Sequence, residues 1–158
     1  MGATLQTRLQ QEKFKSPHHE ALLNLMVSAA HVRDQLDHAC QAHEITEPQY
    51  NVLRILRGGR PLGYARCEIA RRMIARAPDL TRLVDRLEKR GLVGRARSEE
   101  DRRQSVTRIT RKGLDLLDAM QPTIDAIQRS LAQRLSARDA KELSRICEQL
   151  YGEELTGE

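Results

Sequence analysis

The sequence is poor in aromatic residues, with no Trp, one Phe (Phe14) and three Tyr (Tyr50, Tyr64, Tyr151). Aromatic walls for a ligand pocket therefore have few residues to draw on. Its three cysteines, Cys40, Cys67 and Cys147, lie far apart and form no CxxC pair, which argues against a zinc ribbon. An odd count of scattered cysteines in an intracellular chain reads as reduced thiols. No apolar run approaches the roughly 20 residues of a membrane span. The opening stretch MGATLQTRLQQEKFK has no apolar segment of the kind a secretion signal needs. The expectation is a cytoplasmic protein with no membrane partner. All five histidines fall within the first 43 residues, and neither HExxH nor a Gly-rich phosphate loop occurs. No catalytic constellation can be assembled, so an enzyme is not expected and no cofactor is called for.

What is present is charge, unevenly placed. Between Asn51 and Lys112 lie 18 of the 27 Lys and Arg but only 7 of the 22 Asp and Glu, a surplus of 11 positive charges. The flanks hold the remaining 9 basic and 15 acidic residues and are mildly acidic. A concentrated cation in mid-chain suggests a polyanionic partner, although a solvated basic face has the same composition. Nearly all of these cations are Arg, whose fork matches phosphate and guanine.

Apolar spacing predicts a helix from Glu20 to about Ala42, carried by Leu22, Leu23, Met26, Ala29, Ala30, Leu36 and Ala39. Thr46, ahead of Glu47–Pro48, marks a helix start, and Gly58-Gly59 marks its stop. After a turn over Arg60–Tyr64, ARCEIARRMI reads as a short helix with Ile69, Ala70 and Met73 inward. Pro78 then opens PDLTRLVDRLEKR, which Gly91 ends. LVGRAR and SVTRI are strand candidates on either side of the polar turn SEEDRR. Thr110 caps a long helix to about Arg134, in which Pro122 should cause a kink or start a second segment. Ser136 and Asp139 resemble a capping box for a last helix to about Tyr151. A tri-helical core followed by a hairpin is a winged helix-turn-helix. The fold class is mainly α with a small β-hairpin wing and helical dimerisation arms.

Within the helix that Pro78 opens, Leu80, Leu83, Val84 and Leu87 form one buried stripe. Asp79, Thr81, Arg82, Asp85, Arg86 and Lys89 lie opposite. A helix that enters the major groove needs this division, because its exposed N-terminal residues meet base edges. Thr81, Arg82 and Arg86 are the candidate base readers. Arg71, Arg72 and Arg76 just before them can reach phosphates. At the hairpin tip stand Asp101, Arg102 and Arg103. Paired Arg at such a tip suits a narrow minor groove, with Asp101 holding the loop and Arg103 reaching in. The DNA-binding set is therefore Arg76, Pro78, Asp79, Thr81, Arg82, Arg86, Asp101, Arg102 and Arg103.

CEIARRM…PDLTRLVDRLEKRGLVGRARSEEDRRQSVTRITRKG resembles the MarR family of bacterial regulators. The resemblance rests on P-x-L-T-R-L-V-D-R-L-E-K-R-G-L-V, the Asp101-x-Arg103 wing and Ile109-Thr110-x-x-Gly113, and it extends over about residues 20 to 152. It implies a homodimer with interlocked first and last helices, two recognition helices on a pseudo-palindrome of double-stranded DNA, and a repressor released by a small molecule or an oxidant. An effector cleft between the dimer helices and the winged helix is also implied, with Tyr50 and Arg54 as candidate contacts. A winged-helix protein-interaction module without DNA binding is the alternative.

The chain divides into an N-terminal arm over 1–17, loose or a short helix, a helical dimerisation region over 18–44 and 114–152, and a DNA-binding domain over 45–113. Leu117, Met120, Ile124, Ile127, Leu131 and Leu135 form a coiled-coil-like seam in the long helix. His31, Asp34 and His38 share a helical face, read as polar positions on a partly exposed helix rather than as a metal site. Cys67 beside Arg66, and Cys40, are the candidate redox thiols.

Overall fold

A computed structural model describes residues 3–97 and 105–152. Its elements are α1 (Ala3–Leu9), α2 (Pro17–Gln41), α3 (Glu47–Gly58), β1 (Tyr64–Ala65), α4 (Arg66–Arg72), α5 (Leu80–Lys89), β2 (Val93–Arg97), β3 (Ser105–Ile109), α6 (Arg111–Ala132) and α7 (Ala137–Tyr151). The chain forms two units, Met1–Met120 and Gln121–Glu158, with the division inside α6. Among the described residues no helix is long and apolar enough to cross a membrane.

Helix starts follow local chemistry. Ser16 accepts a hydrogen bond from the His19 amide at 3.1 Å, and Pro17 occupies the first turn of α2, where its missing N–H costs nothing. This helix therefore begins three residues before the predicted Glu20. Thr46 and Gln49 form a reciprocal capping box, with the Gln49 amide donating to Thr46 Oγ1 at 3.4 Å and the Thr46 amide donating to Gln49 Oε1 at 3.0 Å. Ser136 Oγ accepts from the Asp139 amide at 3.1 Å and opens α7 as predicted. The N-terminal arm contains the short helix α1.

The first unit is built around α3. Val52, Leu53 and Leu56 are fully buried, together with Ile69 of α4, Leu87 of α5 and Met120 of α6. Leu80, Val84, Leu92, Val93, Val106 and Leu117 are among the other buried residues of this core. Burying one such side chain contributes about 1.5–3 kcal/mol. Ile69 is inward as predicted, but Ala70 is exposed and Met73 half-buried, because α4 ends at Arg72 and Met73 is already extended.

Two strands were expected, and three are present among the described residues. β3 is central, pairing antiparallel with β2 from Val93↔Ile109 to Arg97↔Ser105, and with β1 at Tyr64↔Thr107 and Ala65↔Val106. A two-residue strand has no periodicity to detect, which is why β1 reads as part of a turn.

α5 begins at Leu80 rather than Pro78, with Asp79 at the cap position. It ends in a Schellman arrangement: the Leu92 amide donates to the Leu87 carbonyl at 3.0 Å, and the Gly91 amide donates to Glu88 at 2.8 Å. Gly91 adopts φ +70, which only glycine takes without strain.

Residues 110–113 then close the wing against this turn. Thr110 donates from its amide to the Leu92 carbonyl at 3.1 Å and from Oγ1 to the Gly91 carbonyl at 2.7 Å, and Lys112 Nζ donates to the Arg90 carbonyl at 2.8 Å. Thr110 Oγ1 also accepts from the Gly113 amide at 3.1 Å, capping α6. A methyl group on Gly113 would run into the Leu92 carbonyl oxygen and lie 2.7 Å from Ile109 Cγ1. α6 continues through Pro122 without a break, so the second segment does not form.

In the second unit α7 has no buried residue, and Leu143, Ile146 and Leu150 are exposed at i, i+3 and i+7. The predicted seam in α6 divides. Leu117 and Met120 belong to the core of the first unit, Ile124, Ile127 and Leu135 are half-buried, and Leu131 is exposed. In α2, Leu22, Leu25, Met26 and Val32 are exposed, and of the predicted stripe only Ala39 is buried.

In urea denaturation of the full chain, Leu87→Ala is expected to lower stability by about 2–5 kcal/mol through the cavity it leaves. Gly113→Ala is expected to lower it by about 1–3 kcal/mol through overpacking. A wild-type midpoint for Gly113→Ala would show that the contact at Leu92 can relax.

Candidate nucleic-acid interface

α5 presents its two faces as its spacing predicts. Leu80, Val84 and Leu87 face inward and Leu83 is half-buried, whereas Thr81, Arg82, Arg86 and Lys89 are exposed. Arg76, Pro78 and Asp79, all exposed, lie in the connection that leads into the helix. An open depression of about 290 Å³ brings Arg76, Pro78, Asp79, Arg82 and Arg86 together beside Thr46–Gln49 at the start of α3. The buried Asn51 of α3 fixes this connection, since its Oδ1 accepts the Ile74 amide at 2.9 Å. Residues 30 positions apart in sequence thus share one surface.

Asp101, Arg102 and Arg103 fall outside the described residues. Tyr50 is buried, with the Arg54 guanidinium 5.9 Å from its ring centroid, and neither lines the depression.

Several cations in the basic stretch have internal partners. Arg95 of β2 pairs with Asp85 and, at 3.1 Å, with Glu88, joining the wing to α5. The hydrogen bond to Asp85, opposed in part by desolvation and supported by the Glu88 charge, raises its pKa further. Asp85 is therefore a half-buried wing anchor and does not share the open face with Arg82, as its position on the helical wheel implied. Arg72 pairs with Glu68 and sits 4.3 Å over the Tyr64 ring, and Arg71 also reaches Glu68 at 3.4 Å. Arg90 donates to the carbonyls of His43 and Glu44 in the turn that follows α2, with Glu44 Oε2 at 3.7 Å.

The proposed readers are less committed. Arg82 makes an exposed ion pair with Asp79 at 3.3 Å. Pairs of this kind are worth about 0–1 kcal/mol, so a phosphate or guanine can displace Asp79. Arg76 and Arg86 have no ion pair among the described residues. Arg66, read from sequence only as a neighbour of Cys67, begins α4 and donates to Thr81 Oγ1 at 2.9 Å. Only the packing of α4 on α5 reveals a pair 15 residues apart.

Cys40 is fully buried, and its thiol is pushed up to about 11, first by burial and then by the negative charges of Asp37 and Glu47. Cys67 is exposed. His31 meets the Gln35 side chain at 3.0 Å and His38 meets the Asp34 carbonyl at 2.7 Å. Among the described residues no group of three or more His, Cys, Asp or Glu is placed to hold a metal.

The MarR family model matches residues 45–105. A MarR transcription factor from Planctomyces limnophilus is 36% identical, over 87% of this chain and 99% of that one, with a TM-score of 0.65. This chain belongs to the MarR family. It is a DNA-binding transcription regulator of that family and not an enzyme. The homoprotocatechuate degradative operon repressor of Escherichia coli is 27% identical over 107 residues, 68% of this chain and 71% of that protein. The fold is also that of S. aureus MepR in its DNA complex, at 21% identity and a TM-score of 0.73 over 90% of this chain and 99% of that one.

Thiol chemistry should separate two cysteines of this MarR-family chain. With a limiting alkylating reagent at pH 8, Cys67 should react quickly and Cys40 only at the rate of unfolding, read by peptide mass spectrometry. Because the folded state raises the Cys40 pKa, the stability this gives is present below the ordinary thiol range and is lost as pH rises towards about 11. Fast labelling of Cys40 in the folded protein at pH 8 would contradict this burial.

Proposed function

We propose that this MarR-family chain is a cytoplasmic repressor that binds a pseudo-palindromic duplex as a homodimer and is released by a small-molecule effector or an oxidant. The carrying observation is the surface shared by Arg76, Pro78, Asp79, Arg82 and Arg86, with Thr81 exposed on the same helix. α5 is the recognition helix: Thr81, Arg82 and Arg86 read bases, and Arg76 contacts phosphate. Asp101, Arg102 and Arg103, which lie outside the described residues, are the residues assigned to the minor groove.

Residues 45–113 are the DNA-binding domain, and residues 18–44 and 114–152 form the dimerisation region. This division is supported by the exposed apolar residues of α2 and α7, which a second copy would cover. Repression is supported by the function of the Escherichia coli relative. For release, Tyr50 and Arg54 are the candidate effector contacts. Cys67, exposed where Cys40 is buried and held protonated, is the candidate oxidant contact.

Fluorescence anisotropy with duplex DNA tests the reading. Affinity should fall by about 10³ or more between 50 and 200 mM salt if six or more phosphates are contacted. Arg82→Ala should cost about 1–3 kcal/mol at one base position, and Arg103→Ala should weaken binding on A·T-rich flanks. Affinity independent of salt would remove the proposal.

A further inference from the structure

Thr81 stands at the second helical position of α5, in the turn that a recognition helix presents to base edges. A threonine hydroxyl is normally ambiguous there, because it can donate or accept and so tolerates any base. In this chain the balance is shifted from outside the helix. Arg66 Nη1 donates into Thr81 Oγ1 at 2.9 Å, and no other partner of the Thr81 hydroxyl occurs among the described residues. Both side chains are exposed, so neither is fixed by the core.

The geometry points to Arg66 as a specificity-determining positioning residue, which turns the Thr81 hydroxyl into an outward hydrogen-bond donor. This rests on the reading of α5 as the recognition helix. The guanidinium occupies one lone pair of the oxygen and places positive charge beside it. An approaching amino group is disfavoured, and the hydroxyl proton is directed away from Arg66 towards the solvent that DNA would displace. In the major groove guanine offers O6 and N7, thymine O4 and adenine N7 as acceptors, whereas cytosine offers only its amino donor. The pair therefore discriminates against cytosine at the position Thr81 meets. Arg66 has further N–H groups with which to hold a phosphate, but a phosphate contact carries no base preference.

The test is selection of bound fragments from a randomised duplex library by the full-length protein, with Arg66→Met, Thr81→Val and the double variant in parallel. Wild type should enrich a half-site with one position where cytosine is depleted about fivefold, the low end of what one base contact supplies. Arg66→Met should restore cytosine at that position, Thr81→Val should do the same, and the double variant should add nothing further. Melting temperatures should match wild type, because both side chains lie outside the core.

If Arg66→Met weakened binding evenly on all sequences and left cytosine depleted, Arg66 would be a phosphate contact only and the inference would be overturned. Summed effects in the double variant would overturn it equally, by showing that the two residues act separately. A wild-type library with no enriched sequence would instead overturn the recognition-helix reading itself, so the two failures are distinguishable.

Discussion

The winged unit depends on one junction, where the carbonyls of Arg90, Gly91 and Leu92 meet residues 110–113. The carbonyls at and just past a helix end have no partner within the helix and must find one outside it. Here the orphan groups after α5 are taken by the Lys112 ammonium, the Thr110 hydroxyl and the Thr110 amide. The same threonine caps α6 through the Gly113 amide. One set of bonds thus ties down the turn after α5, closes the base of the wing and starts the long helix. This gives a physical reason for the Thr110-x-x-Gly113 spacing: the threonine must reach both ends, and the glycine must let the helix pass under the Leu92 carbonyl.

The junction also decides what the positive charge can do. Once β2 lies beside α5, Arg95 falls between Asp85 and Glu88 and becomes part of the scaffold. Arg90 is likewise occupied by the carbonyls of the turn after α2, and Arg72 by Glu68 and the Tyr64 ring. Arg76, Arg82 and Arg86 are left on the open face beside α3. The charge surplus of the mid-chain region overstates the charge offered to a polyanion, because a sequence count cannot separate a cation that binds from one that builds.

Apolar residues divide in the same manner. Leu117 and Met120 complete the core under α3, whereas Leu143, Ile146 and Leu150 of α7 stay exposed, as do Leu22 and Met26 of α2. Regular helical spacing in all three helices states only that one face is apolar, not what covers it. A chain that leaves several large apolar residues on two helices in water gains free energy if another surface covers them.

The sequence by itself determined the elements whose causes are local. Thr46, Ser136 and Thr110 cap helices because an oxygen stands three residues from an orphan amide, and Gly91 stops α5 because it tolerates a positive φ. The apolar stripe through Leu80, Val84 and Leu87 also needed only the helical period, as did the exposure of Thr81, Arg82 and Arg86 opposite it. Tertiary structure decided everything that joins distant positions. β1 exists only because β3 offers it a partner, and Asp85 left the open face of α5 only because Arg95 arrived from the wing. Arg66 joined Thr81 only when α4 packed on α5. Caps and periods are properties of a few consecutive residues, whereas the partner of a charge or a hydroxyl is set by which elements the core brings together.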